Sequence, residues 1–131
     1  MAKLTIQYKK ADFDQAGVLV YSTVAGELDY PDLLDSIVED SRAKTITIND
    51  IDDEQASEIF YALVSGMISE FPNFEMIGDY GKNIHLGAKY EANQLTVEKR
   101  VGGSSEREVF QLEDGLFDDD DGDTFAMFFD L

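Results

Sequence analysis

Residues 48–72 read INDIDDEQASEIFYALVSGMISEFP. Ala56, Ile59, Phe60, Leu63, Val64, Met67, Ile68 and Phe71 recur at alternating intervals of three and four, which is one face of an α-helix. Asp50 or Asp52 is placed to cap its first turn, and Asp53 and Glu54 complement the positive end of the helix dipole. Pro72 stops it, because the residue before a proline is pushed out of helical geometry. Glu54, Glu58, Tyr61, Ser65 and Ser69 are left for the outer face. A helix with one apolar face needs a second layer to cover it, and the flanking segments supply strands.

Working outward, KTITIND (residues 44–50) is a short β-branched strand and Lys3–Lys9 alternates apolar with polar as a half-buried strand does. ADFDQAG (11–17) reads as a turn and GVLVYSTV (17–24), apolar on both faces, as a central strand. ELDYPDLLDSIVEDSRA (27–43) reads as a second helix, with Pro31 in its first turn and Leu33, Leu34, Ile37 and Val38 as its inner stripe. Downstream, FEMIGDYG, NIHLGAKY and NQLTVEKRV are strands, the last two joined as a hairpin around Glu91–Asn93. VGGSSERE (101–108) reads as a flexible connector, and EVFQLEDG (108–115) as a further strand. The order ββαβαβββ implies an α+β domain, two helices packed on one face of a mixed or mostly antiparallel sheet of about five to six strands. Residues 1–112 form the domain, and residues 113–131 an acidic, aromatic C-terminal segment, either a free tail or a closing strand.

The composition narrows the chemistry. The chain has 131 residues, enough for a single core, and 44% hydrophobic residues, which argues against disorder. It lacks cysteine, which removes disulfides, thiol nucleophiles and Cys-based metal sites and fits a reducing cytoplasm. No secretory leader or membrane-spanning run is visible. The expectation is a cytoplasmic protein without cofactor or metal. Twenty-eight acids against ten bases give a net charge of −18. From Glu113 onward there are eight acids and no base, so residues 1–112 still carry −10. Such a field repels nucleic acid and anionic membranes and attracts basic protein surfaces. Solubility alone also accounts for a charge of this kind. Adaptation to high salt fits less well, because large apolar residues are plentiful and seven of the ten bases are Lys.

Catalytic signatures are absent. The single histidine, His85, lies on a strand whose neighbours Ile84 and Leu86 point the other way, and it reads as a surface residue. There is no G-x-S-x-G and no P-loop, since GDYGKN (78–83) lacks the Lys-Ser/Thr ending. The run DDDDGD (118–123) fails as an EF-hand: with Gly122 as the central glycine, the first and twelfth ligands would be Phe117 and Phe128.

Two uses of the charge follow. Duplex DNA carries one negative charge per ~1.7 Å of axis. Asp32, Asp35 and Glu39, with Asp53, Glu54 and Glu58, supply rows of carboxylates three to four residues apart, reinforced by Asp118, Asp119, Asp120 and Asp121. Neighbouring like charges on a helix cost a few tenths of a kcal/mol each. The expectation is therefore a non-enzymatic DNA mimic that binds and inhibits a basic nucleic-acid-binding protein: a nuclease, a restriction or CRISPR effector, or a polymerase. Small acidic proteins of this sort are typical of phages. An immunity protein that neutralises a basic toxin nuclease would use the same physics. The second use is docking by the tail, in which Phe125, Phe128 and Phe129 have the spacing of a helical turn in a groove. This tail resembles the acidic C-terminal tails of single-stranded-DNA-binding proteins, which recruit replication partners. Those proteins also carry a basic, aromatic groove, for which the acidic body offers no obvious counterpart.

Overall fold

The computed structural model describes residues 2–131 as one antiparallel seven-stranded sheet with helices layered on it. The strands are β1 (Ala2–Tyr8), β2 (Ile37–Asp40), β3 (Thr45–Ile51), β4 (Phe74–Tyr80), β5 (Ile84–Glu91), β6 (Gln94–Val101) and β7 (Ser104–Gln111), in the order β2-β3-β1-β4-β5-β6-β7. The helices are α1 (Phe13–Ser22), α2 (Asp53–Glu70) and α3 (Asp119–Phe128), with a 3-10 helix at Pro31–Ser36 and a π segment at Thr23–Glu27. The class is α+β, as expected, but the sheet is larger than five to six strands and every pairing is antiparallel.

Helix α2 forms as its periodicity dictates. The Asp52 carboxylate accepts from the Gln55 N–H at 2.8 Å, and the Gln55 side chain accepts from the Asp52 N–H at 3.0 Å, a reciprocal capping box. Its buried face includes Ile59, Phe60, Leu63, Val64 and Met67. Phe60 lies so close to the sheet that a Cβ at Gly78 would sit 2.6 Å from its ring, so this strand position admits no side chain. At the β3 end, a register shift against Ala2–Leu4 accompanies Asp50, whose φ of 58° places it in the left-handed region.

Three segments depart from the sequence reading. Residues 11–24 are neither turn nor strand: Asp12 caps α1 by accepting from the Gln15 N–H. The apolar positions Phe13, Ala16, Gly17, Val20 and Val24 that become buried have helical spacing. The continuous run Val18–Val20 hid that period, yet Val18 is 69% exposed. The helix expected over 27–43 collapses to the 3-10 helix, after which Ile37 and Val38 extend into β2. Tertiary context overrides helix propensity here, because β3 needs a partner on its outer edge and Ile37 enters the core opposite Ile48. Residues 101–108 are not a flexible connector: Gly102 and Gly103 make a two-residue turn, with Gly102 in the left-handed region, and the residues from Ser104 onward are already strand β7 paired to β6. The expected β5–β6 hairpin does form, and Ala92 and Asn93 both have positive φ as a type I′ turn requires.

The C-terminal segment is neither a free tail nor a closing strand: it is helix α3. Phe125, Phe128 and Phe129 belong to the same core as Leu4 and Ile6. Phe129 meets Phe60 edge-on with centroids 4.8 Å apart, and Phe125 stacks on Phe117 at 4.8 Å. Lys99 holds the end of the chain, donating to the Asp130 carbonyl at 2.9 Å. No helix among the described residues is long and apolar enough to cross a membrane.

Candidate acidic protein-binding surface

The sheet sorts the charge. Side chains that alternate away from the core, on the open face, include Lys3 on β1, Glu75 and Asp79 on β4, His85, Lys89 and Glu91 on β5, Glu98 and Arg100 on β6, and Arg107 on β7. Asp40 of β2 shares that face, and Lys9 reaches it through Glu75 at 3.9 Å. Five bases thus stand with five acids, so this face is close to neutral. The other 23 acids and five bases, on the helix side, the turns and the edges, carry the whole net charge of −18. The excess negative potential therefore lies away from the open sheet face.

The first half of helix α2 and the 3-10 helix together carry five of these carboxylates. Asp53, Glu54 and Glu58 lie in the first half of α2, and Asp32 and Asp35 lie on the 3-10 helix. The Tyr30 hydroxyl donates to Glu58 at 2.6 Å and joins the two elements. That hydrogen bond, then desolvation, then the charges of Glu58, Glu54 and Asp52 push the Tyr30 phenol up to about 12. The sequence reading missed Tyr30, although its position just before Pro31 marks it as the residue entering the turn. Glu39 takes a different place: it alternates to the helix side of β2, where its carboxylate packs against Gly17 of α1.

The Asp118–Asp121 run forms the start of α3. Asp118 occupies the N-cap position without a side-chain cap bond. Desolvation first, then Asp118, Asp120 and Glu108, raise the Asp121 carboxyl. The aromatic candidates are distributed otherwise. Phe125, Phe128 and Phe129 are 2%, 9% and 1% exposed, so in the folded chain they bind their own core and are not presented to a partner.

On the open face, His85 contacts Asp79, but Arg100 stands next in the cross-strand row and Ser105 beyond it. The nearest serine of that row is therefore two strands from the imidazole, and that row of the described residues forms no Ser-His-Asp relay. Among the described residues, no three His, Cys, Asp or Glu side chains converge to hold a metal ion. Comparison with protein-family models, with curated proteins and with solved structures gives no match.

Proposed function

We propose that this chain is a non-enzymatic, cytoplasmic acidic protein that binds and inhibits a basic nucleic-acid-binding protein by presenting DNA-like charge from its helix side. The observation that carries the reading is the one-sidedness of the field: the open sheet face is balanced, while the helix side and edges hold the entire excess of acids. Solubility alone gives no reason for half of the bases to gather on one face and leave the acids elsewhere uncompensated. The anchoring of the 3-10 helix to α2 through Tyr30 and Glu58 supports it further, because carboxylates on ordered elements lose less entropy on binding than those on a mobile loop. An immunity protein acting on a toxin nuclease is the same reading with a narrower target.

Direct binding of single strands by this chain is disfavoured. Its open sheet face carries bases but no phenylalanine or tyrosine ring on which a base could stack, since Tyr8, Phe74, Tyr80, Tyr90 and Phe110 all turn toward the helices, and the single imidazole there, His85, is engaged by Asp79. The test is capture from lysate by the full chain and by the Asp35→Lys/Glu54→Lys variant. Both substituted residues are exposed, and neither is needed for the Tyr30–Glu58 bond. A nuclease or polymerase retained at low salt, released by added duplex DNA and lost by the variant would support mimicry. Retention that DNA does not disturb, or direct binding of DNA by the chain, would overturn it.

A further inference from the structure

Strand β7 is a free edge. It ends the sheet, pairs only with β6, and its residues Ser104–Val109 are all exposed. An edge strand turns alternate N–H and C=O groups outward and unpaired, which makes it a template for a further strand. The opposite edge, β2, offers four residues where β7 offers eight.

The side chains of β7 select what can pair there. Glu106 and Glu108 stand opposite Lys99 and Val97, so they lie on the helix side, while Ser105, Arg107 and Val109 lie on the open side. Glu106 is 3.2 Å from the Lys99 ammonium, whereas Glu108 makes no salt bridge among the described residues. Glu108 is also one of the carboxylates that raise Asp121, so the acidity of the edge continues into the start of α3. A second copy of the chain fits poorly. In the two antiparallel self-pairings that use most of β7, either Arg107 faces Arg107 with Glu106 facing Glu108, or Glu108 faces Glu108. Like charges directly opposite are destabilising.

We propose that β7 receives an extended basic segment of the partner, whose backbone pairs with the free edge and whose Lys or Arg side chains fall on the helix side beside Glu106, Glu108 and the Asp118–Asp121 run. Alternate residues of a strand stand ~7 Å apart on one face, so a basic residue at every second position of the segment meets the two glutamates in turn. Main-chain pairing supplies affinity and the charges supply selectivity. This inference rests on the reading of the partner as a basic protein and adds where, and in what conformation, it docks.

The probe is a capped peptide alternating Lys and Val, matched in length to β7, added to the full chain with amide hydrogen exchange as readout. The expected result is new protection confined to Ser104–Gln111. Binding should weaken at least about tenfold when alternate peptide amides are N-methylated, and again in the Glu106→Lys/Glu108→Lys variant. Protection on α2 instead, equal binding of the N-methylated peptide, or no binding would each overturn the proposal. The two readings fail separately. Loss of the edge result with capture of a DNA-displaceable partner intact removes only the edge. Pairing at β7 without any such partner removes the inhibitor reading and leaves the edge.

Discussion

Tyr30 illustrates how one side chain shapes the acidic surface. Its hydroxyl is the donor that Glu58 needs, and its half-buried ring keeps the 3-10 helix close to α2. Tyr30→Phe should cost about 1 kcal/mol near neutral pH, the ordinary net worth of a side-chain hydrogen bond, measured by urea denaturation. The pH dependence has a definite sign. The folded state raises the phenol from 10.0 to about 12, so it favours the protonated form. The associated stability is complete below pH 10 and is lost as the pH climbs through about 12. The gap between wild type and Tyr30→Phe should therefore close over that interval. A gap that stays constant through that interval would mean that ionisation of the hydroxyl is not coupled to folding, and the absence of any gap would mean that the tyrosine contributes packing alone.

Helix α3 is held by its apolar face against its own composition. Asp119, Asp120, Asp121, Gly122, Asp123 and Thr124 are weak helix formers. Acids near a helix N-terminus complement its dipole, but here four in a row oppose one another and Glu108. Phe125, Phe128 and Phe129 offset this through burial, and Lys99 serves the other end, donating to the Asp130 carbonyl with its ammonium over the Phe128 ring. Because the folded state raises Asp121, ionising that carboxyl opposes folding. The element is most stable below the ordinary value of 3.8 and loses stability as the pH rises through the raised one. Asp121→Asn should consequently raise the melting temperature at pH 7, with the difference shrinking toward pH 3. A variant that is destabilised at both pH values would mean that the carboxylate has a local role the repulsion does not capture.

On the scale of the whole molecule, the sheet separates a balanced face from an acidic one, and this separation makes a prediction about where charge matters. Glu75→Lys/Glu98→Lys on the open face and Asp35→Lys/Glu54→Lys on the helix side change the net charge equally. The second pair should weaken capture of the partner by more than about tenfold at low salt and flatten its salt dependence, and the first should change it by less than about threefold. Equal losses, measured by titration at two ionic strengths, would mean that only total charge counts.

Local pattern by itself determined α2 with its capping residue, the strand β1, most of β3, the β4–β6 meander with its Ala92–Asn93 turn, and the overall acidity. In each of these the period of the apolar residues and the turn chemistry agree. It did not determine the fate of residues 27–43, where the same Leu33, Leu34, Ile37 and Val38 suit a helix or a turn followed by a strand. The unpaired edge of β3 decides between them. Nor did it separate a free aromatic tail from a packed one, since burial of Phe125 and Phe129 depends on the pocket that Phe60, Tyr61, Phe110 and Phe117 build from distant parts of the chain. The one-sided charge was latent in the alternation of the strands. Only the common face of β1 to β7 brings those alternations into register, because neighbouring side chains on a sheet are set by pairing between strands and not by order along them.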